Sequence, residues 1–512
     1  MALQVSCQEP AKVDAVTIQM PAPDQAVLAR RSEIVLALMR IVPGEGVVAD
    51  EPTLRAFESD GLTAYAQLPM VAVLPETVEQ IAAILRYCSD EAIKVVPRGS
   101  GTSLSGGALP LADGVLLCMG RFNKVLRIDY ADRIAVVQPG VTNLAITRAV
   151  ETAGFYYAPD PSSQIACSIG GNVAENAGGV HCLKYGLTTN NLLGVELVLI
   201  DGTVLRLGGE ALEPAGLDLL GVVVGSEGLL GVVTEVTVRI LPRPATARAL
   251  LMGFADAEAA GNAVAAVIGA GIVPAGMEMM DRPAIHAAEA FVHAGYPLDV
   301  GALLIVEVDG PEAECDHLAE EITAIGRAHG ATVLRTSTSE AERAAFWAGR
   351  KAAFPAVGRI SPDYYCMDGT IPRRQIAPVL ARIEALAQGC GLKVANVFHA
   401  GDGNLHPLIL YDRDKPGELD RAEELGNAIL RLCVEVGGVL TGEHGVGIEK
   451  RDLMGEMFTE TDLDQQLRVK FAFDPQSLLN PGKVFPRLHR CAELGRVHVH
   501  HGQTRFPELP RF

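Results

Sequence analysis

Positive charge is scarce in this chain of 512 residues, which has 43 lysines and arginines, 62 aspartates and glutamates, and a net charge of −19 at pH 7. This balance excludes nucleic acid and anionic membrane surfaces as expected partners, because both repel an acidic protein. It also means that a phosphate-bearing ligand must be held by local hydrogen-bond donors.

Paired cysteines and long apolar runs are missing as well. None of the ten cysteines has C-x-x-C spacing, so we expect neither an iron–sulfur cluster nor a zinc knuckle, and we expect the reduced thiols typical of the cytosol. No stretch approaches about 18 consecutive apolar residues, so we expect no membrane insertion. The N-terminus has neither a basic start nor an apolar core, which argues against a secretion signal.

The remaining composition is that of an ordinary globular protein, with 49% hydrophobic residues, and the length suggests two to four domains. Residue periodicity predicts an amphipathic helix near 32–41, then mixed strands and helices, with a boundary at Pro242–Pro244. In the C-terminal tail His498, His500 and His501 could approach a metal, but a solvated tail is favoured. The predicted segments are 1–50, 51–243, 244–416, 417–490 and the tail 491–512.

A glycine-rich loop, Pro97–Gly107, directly follows a predicted strand. Its glycines allow close backbone approach, and successive N–H groups with Ser and Thr hydroxyls can form an anion cradle. The loop lacks the last glycine of G-x-G-x-x-G and the Gly-Lys-Ser/Thr of a Walker loop, so neither common nucleotide motif fits. Taken alone, it could equally be a plain glycine-rich turn.

Two further glycine-punctuated segments accompany this loop. Pro159–Ser163 is a hydroxyl-rich turn, and it leads into Ile169–Gly179, which contains four glycines and two asparagines. Gly225–Glu235 forms a third such turn before a predicted strand. Few bulky side chains occur there, so the backbone is expected to approach a flat ligand and to offer it amide donors.

Together these segments resemble the FAD-binding domain of the vanillyl-alcohol oxidase flavoprotein superfamily. The whole chain resembles the flavin-binding subunits of bacterial glycolate oxidases and is similar to D-lactate and D-2-hydroxyglutarate dehydrogenases. The resemblance implies an α+β fold in which 51–243 is a two-part FAD-binding domain and 244–416 an α+β, ferredoxin-like substrate cap. It also implies that the helical segment 417–490 returns to the flavin domain through Asn480–Lys483.

The resemblance also implies which residues bind the cofactor. Residues 97–107 contain no histidine or cysteine, so we expect non-covalent FAD. The implied pyrophosphate contacts are Arg98, Gly99, Ser100, Gly101, Thr102, Ser103, Gly106 and Gly107. The implied flavin contacts are Pro161, Ser162, Gly170, Gly171, Asn172, Asn176 and Gly179. The implied adenosine-side contacts are Glu227, Gly228 and Val233, and Asn480 completes the set.

In the second half, Val397–His406 predicts a hairpin in which residue 399 pairs with residue 404. Alternation along the strands then places His399, Asn404 and His406 on one face, with Phe398 and Leu405 on the other. Two imidazoles this close suit a divalent metal such as zinc or manganese. These residues could otherwise be core or capping polar groups.

A loop bounded by glycines, Gly442–Gly445, offers the remaining groups, with Glu443 as a third metal ligand and His444 as a base. The resemblance implies the same set: His399, His406 and Glu443 as metal ligands, Asn404 orienting substrate and His444 accepting the hydroxyl proton. It further implies that Arg350 clamps the substrate carboxylate. Arg350 alone could be a solvated helix charge.

One departure from the family pattern bears on the substrate. Members that act on dicarboxylic hydroxy acids carry a threonine and a lysine at places that correspond here to Phe354 and Cys366. A second carboxylate would lack its partners. We therefore expect a small monocarboxylic substrate, glycolate or D-lactate.

The resulting hypothesis is a cytoplasmic FAD-dependent enzyme that oxidises a small 2-hydroxy acid by hydride transfer. The resemblance implies a second flavin-type subunit and an iron–sulfur subunit as electron acceptors, and a peripheral place at the inner membrane through them. The alternatives are a stand-alone D-lactate dehydrogenase with a cytochrome or quinone acceptor, or a non-catalytic FAD subunit of a redox complex.

Overall fold

Three main β-sheets, each packed against helices, organise the computed structural model, which describes residues 18, 20–211, 216–486, 499–500 and 503–504. Most of the predicted tail 491–512 and the side chains of its histidines therefore lie outside the described residues.

Among the described residues, the N-terminal half contains eleven strands and nine α-helices. The strands are β1 Val47–Val48, β2 Val71–Val73, β3 Lys94–Arg98, β4 Gly114–Cys118, β5 Val125–Asp129, β6 Ile134–Val137, β7 Phe155–Tyr156, β8 Leu192–Val198, β9 Val204–Gly208, β10 Val232–Arg239 and β11 Leu241–Pro242. The helices are α1 Gln25–Ala29, α2 Arg31–Ile41, α3 Glu51–Leu54, α4 Val78–Asp90, α5 Asn143–Val150, α6 Ile169–Glu175, α7 Cys182–Tyr185, α8 Thr188–Asn191 and α9 Leu219–Val223.

The C-terminal half begins with β12, directly after the prolines at 242 and 244. Its strands are β12 Thr246–Phe254, β13 Gly276–Asp281, β14 Ala302–Gly310, β15 Val333–Thr336, β16 Asp363–Cys366, β17 Lys393–His399, β18 Pro407–Tyr411, β19 Val499–His500 and β20 Gln503–Thr504. Its helices are α10 Ala257–Gly269, α11 Arg282–Val292, α12 Glu312–Ala328, α13 Glu340–Val357, α14 Ile376–Cys390, α15 Glu418–Glu435, α16 Met454–Met457 and α17 Glu460–Phe473.

Two sheets form the first half. The four-stranded sheet has the order β1-β2-β4-β3, in which β2 and β3 both run parallel to the central β4. Every residue of β4 is buried, as expected of a parallel strand covered on both faces. Helix α4 begins where the Thr77 hydroxyl accepts from the N–H of Gln80, and its buried face packs on this sheet. The five-stranded sheet, of order β5-β6-β10-β8-β9, is antiparallel.

A seven-stranded antiparallel sheet forms the second half, in the order β15-β12-β14-β13-β17-β18-β16. The first four of these strands along the chain, β12 to β15, lie side by side in the order β15-β12-β14-β13. Helix α10 connects β12 to β13, and helix α12 connects β14 to β15. This arrangement is the expected ferredoxin-like one, extended by three more strands.

The predicted hairpin is confirmed, because His399 pairs with Asn404 and the register continues to Asn396 opposite Pro407. Phe398 and Leu405 point into the core under α10, α12, α14 and α15. The histidines lie on the opposite face, which α11 and α13 cover. The alternation of the strands thus directs both imidazoles toward α13.

The C-terminal segment makes direct contacts with the first half. Leu479 forms a parallel bridge with Val95 of β3, and the N–H of Asn480 donates to the Val95 carbonyl. The buried Lys483 ammonium donates to the carbonyls of Gly107 and Leu109. These bonds fix the end of the chain against the glycine-rich loop.

Candidate active site

A cavity of about 370 Å³ runs between the two halves. The first half contributes its three glycine-punctuated segments, and the second half contributes part of α13 together with His406, Glu443 and His444. Three of the side chains predicted in the second half of the sequence therefore reach this cleft, whereas His399, Asn404 and Arg350 are not among the residues that line it.

The backbone of the first loop is shaped to approach a ligand. Gly101 has a positive φ of +70°, which favours glycine, and a Cβ there would collide with the Arg98 guanidinium. A Cβ on Gly99 would collide with the Ser168 hydroxyl, at the start of α6. Main-chain N–H groups and small hydroxyl side chains thus form the wall, which fits the phosphates and ring of a dinucleotide cofactor.

Arg98 lies in this wall but its charge has other partners. Its guanidinium donates to the main-chain carbonyls of Phe57 at 3.2 Å and Ser59 at 2.8 Å. These two bonds brace the loop, and they leave further N–H groups of the guanidinium for other acceptors. The expected contact of Arg98 with the pyrophosphate stays a prediction.

Most of the cofactor contacts expected from the sequence line the cavity, but four described ones lie behind its wall. Gly179 has a φ of +150° and packs against the Asp160–Pro161 main chain, while Asn176 ends α6 in a left-handed conformation. A Cβ on Gly106 would collide with Ile448. Asn480 donates to the carbonyls of Gly107 and Glu227. These four residues shape the wall and hold it in place.

Glu227, expected on the adenosine side, lines the cavity and also connects two parts of the chain. Its carboxylate accepts from the N–H groups of Val446 at 2.6 Å and Gly447 at 2.7 Å. Each of its two oxygens accepts from one main-chain donor, so this residue links the first half of the chain to the loop that follows Glu443 and His444.

At the far end of the cavity, His399, His406 and Glu443 converge as predicted. Oε1 of Glu443 lies 3.2 Å from Nε2 of His399 and 3.0 Å from Nε2 of His406. Two imidazole nitrogens and a carboxylate facing one point form a donor set that fits a divalent metal such as zinc or manganese. Burial opposes the charged form of Glu443, but the two histidines outweigh it and lower its pKa well below the usual range.

A buried carboxylate that the sequence analysis did not single out holds His399 and Arg350 in place. Glu278 of β13 is 1% exposed and lies with Oε1 2.6 Å from Nδ1 of His399. Such a carboxylate fixes the orientation of a metal-binding imidazole. The other oxygen of Glu278 accepts from Nε of Arg350 at 2.7 Å.

Arg350 is fully buried beside this centre, so the alternative of a solvated helix charge is wrong. Its Nη2 also lies 2.6 Å from the same carboxylate, so the guanidinium faces Glu278 through both Nε and Nη2. The N–H groups on its opposite side are the ones that a further acceptor could use. The neighbouring Lys351 and Phe354, one turn further along α13, lie in the cavity wall.

Asp368 anchors the loop that carries Glu443 and His444. Its buried carboxylate accepts hydrogen bonds from the Thr441 hydroxyl, from the N–H groups of Gly442, Glu443 and His444, from Nδ2 of Asn404 and from the Lys450 ammonium. Burial opposes its charge, but Lys450 dominates and lowers the pKa of Asp368. The sequence analysis assigned no role to this residue, which follows the end of β16.

His444 lies next to the predicted metal ligands. Its ring stacks on that of His406, with centroids 4.8 Å apart and planes 12° apart. Burial, chiefly, lowers the pKa of His444 to about 4, so the ring is neutral near pH 7. Its Nδ1 is buried without a hydrogen-bond partner in the described residues. The ring is therefore able to accept a proton from a group in the cavity.

This combination of a glycine-walled cleft and a histidine–carboxylate centre defines a flavin-dependent oxidoreductase. The family description "FAD binding domain" matches residues 69–208, and "FAD linked oxidases, C-terminal domain" matches residues 243–484. Glycolate oxidase subunit GlcD of Escherichia coli (strain K12) is 57% identical over 482 residues, 94% of this chain and 97% of the relative. GlcD of Bacillus subtilis (strain 168) is 38% identical over 432 residues, 84% and 92% of the two chains.

A D-lactate dehydrogenase of Archaeoglobus fulgidus is 32% identical over 82% of this chain and 92% of the relative. The chain therefore belongs to the family of FAD-linked oxidases that includes the GlcD glycolate oxidase subunits. This membership confirms the expected class of flavoprotein oxidoreductase.

Solved structures confirm the expected fold. The 4-ethylphenol oxidase of Gulosibacter chungangensis aligns with a TM-score of 0.76 at 20% identity, covering 92% of this chain and 99% of that one. The p-cresol methylhydroxylase with bound substrate aligns with a TM-score of 0.76 at 17% identity, covering 91% and 98%. Among the described residues, no helix has both the length and the apolar character needed to cross a bilayer.

Proposed function

We propose that this protein oxidises a small 2-hydroxy monocarboxylic acid, glycolate or D-lactate, with non-covalently bound FAD. The observation that carries the proposal is the cavity itself, which joins the glycine-walled cleft to the centre formed by His406, Glu443 and His444. The relatives named glycolate oxidase subunit and D-lactate dehydrogenase support the same substrate class.

His399, His406 and Glu443 would hold a divalent metal, with Glu278 and Asp368 fixing their directions. When bound, FAD supplies a two-electron acceptor and the metal supplies a Lewis acid that favours the alkoxide form of the substrate hydroxyl. The protein contributes the placement of the substrate between the two, which can lower the barrier by several kcal/mol, on the order of 7 in favourable cases.

His444 is proposed as the group that takes the hydroxyl proton, because its unpartnered Nδ1 and its neutral ring meet the needs of a base. The N–H donors of Arg350 that do not face Glu278 are proposed to bind the substrate carboxylate. Asn404 is held through its amide nitrogen by Asp368, which leaves its oxygen to orient the substrate.

Phe354 supports the choice of a short substrate. Its ring lies in the cavity wall, 6.3 Å from the ring of His406 and 6.2 Å from that of Tyr364. An aromatic face there fills space and offers no hydrogen bond to a second carboxylate, whose burial without a partner would be costly. Cys366, which stands where a lysine would be needed, is buried.

Anaerobic reduction of the flavin tests the proposal. We expect glycolate or D-lactate to bleach the flavin absorbance of the purified protein faster than D-2-hydroxyglutarate does, with about one metal per chain in the active fraction. Equal or faster bleaching by D-2-hydroxyglutarate would contradict the assigned substrate class. A flavin that no hydroxy acid reduces would favour a non-catalytic FAD subunit.

The electron acceptor distinguishes two versions of this function. The relatives at 57% and 38% identity are named as subunits, so we propose that electrons pass to partner subunits, a second flavin-type chain and an iron–sulfur chain, which could hold the protein at the inner membrane from the cytoplasmic side. In the alternative, a stand-alone D-lactate dehydrogenase, the purified chain alone would reduce a quinone or cytochrome at the rate of flavin reduction.

A further inference from the structure

Glu175, the last residue of α6, is a carboxyl group without a partner in the cavity wall. Its Oε2 is buried and accepts or donates no hydrogen bond within the described residues. A Cβ on Gly107 would lie 2.9 Å from Oε1, and one on Gly445 would collide with Oε2. The Glu175 carboxyl group therefore packs between the first glycine-rich loop, at Gly107, and the loop after His444, at Gly445.

The nearby polar groups are committed elsewhere. Glu227, the adjacent carboxylate, is occupied by two main-chain N–H groups. Lys450 donates to Asp368, to the Thr441 hydroxyl and to the Gly445 carbonyl. Lys483 likewise donates to two carbonyls and to Asn480.

No cation therefore forms an ion pair with Glu175 in the described structure. Burial, followed by the repulsion from Glu227, raises the pKa of Glu175 well above its usual range. A neutral carboxylic acid supplies one donor and one acceptor and adds no negative charge beside a diphosphate ligand. Such a group is costly to bury alone, so a partner in the cleft would stabilise it.

We propose that the carboxylic acid of Glu175 makes a hydrogen bond to bound FAD. Glu175 is then a cofactor-contacting residue in addition to the loop glycines and hydroxyls. The inference rests on FAD binding and is independent of the substrate and of the metal.

The test compares the FAD affinity of the apoprotein for wild type, Glu175→Gln and Glu175→Ala, measured by quenching of flavin fluorescence. Loss of one hydrogen bond is expected to weaken FAD binding by about tenfold in Glu175→Ala. Glu175→Gln keeps a neutral donor and acceptor, so its affinity is expected to stay within about threefold of wild type. Glu320→Ala, an exposed change on α12, is the matched control.

An infrared difference spectrum of the wild-type holoprotein minus apoprotein provides a measurement that does not depend on the alanine variant folding. We expect a carboxylic acid C=O band that shifts on FAD binding and is missing in Glu175→Gln. Unchanged affinity in Glu175→Ala would overturn the proposal, as would the absence of that band. Tighter binding in both variants would also overturn it, because it would reveal an ionised carboxylate that repels the cofactor.

Discussion

Replacing Asp368 by asparagine should release the loop that carries the proposed metal ligand and base. The substitution keeps the shape but removes the charge that faces the fully buried Lys450, 3.1 Å away. The amide can also accept through only one of its two terminal atoms, whereas the carboxylate receives donors on both. Breaking one partner of a buried ion pair costs about 3–5 kcal/mol.

Hydrogen–deuterium exchange of the peptide that spans residues 441–450 measures this loss directly. A decrease of about 3 kcal/mol in the free energy of local opening corresponds to exchange more than about a hundredfold faster. We also expect less bound metal, because Glu443 loses its main-chain anchor. Asp414→Asn, at an exposed position, controls for the change of charge alone.

The double variant Asp368→Asn/Lys450→Met separates charge from geometry. In Asp368→Asn the buried ammonium keeps only Glu449, 3.6 Å away, as an ion-pair partner. Removing that ammonium should restore part of the protection, because a neutral pair costs less to bury than a charge that has lost its nearer partner. Exchange of the loop amides within about threefold of wild type in Asp368→Asn would refute the anchoring role.

Three further predictions concern the cavity wall, the proposed metal ligand and a histidine outside the cavity. Phe354→Thr should lower KM for D-2-hydroxyglutarate and raise it for glycolate, and a steady-state comparison that finds no change in the ratio would contradict the wall assignment. Glu443→Gln should bind less than one metal per chain by elemental analysis while keeping its flavin absorbance, whereas full metal content would exclude Glu443 as a ligand. The ring of His181 lies 2.8 Å from a carboxylate oxygen of Asp160 and 3.4 Å from one of Glu307. Burial lowers the pKa of His181, but these two carboxylates outweigh it and raise that pKa to about 10. The contribution of protonated His181 to the free energy of unfolding is therefore complete below the unfolded-state pKa of about 6.5 and is lost as pH rises through about 10. We expect His181→Gln to lower the urea midpoint of unfolding at pH 6 and to have little effect on it above pH 10. A constant difference between the two pH values would argue against a charged His181.

Local sequence predicted what depends on neighbours along the chain. The hairpin that pairs His399 with Asn404 follows from strand alternation across a short turn, so its two imidazoles fall on one face without any distant segment. The N-terminal helices and strands were predicted for the same reason, since periodicity and glycine or proline breaks act within a few residues. The glycine-rich loop was identified by composition, and its role by resemblance.

Sequence did not predict the partners that distant strands bring to the site. Glu278 occurs in a methionine-rich strand that carries no motif, yet pairing of β13 with β17 places it opposite His399. Helix α13, which contains Pro355, was recognised only around Arg350. The sequence assigned no role to Asp368, because its six donors come from three separate segments, at residues 404, 441–444 and 450.

The amino-acid sequence by itself determined the chemical inventory: a glycine-lined anion cradle, a pair of histidines on one strand face, and a glutamate–histidine loop. Only the tertiary structure decided how these are joined, because the bonds of Glu227, Glu278 and Asp368 cross between elements far apart in the chain. Local patterns fix which way a side chain points, whereas the buried carboxylates acquire their partners from sheet pairing and packing, which no local pattern encodes.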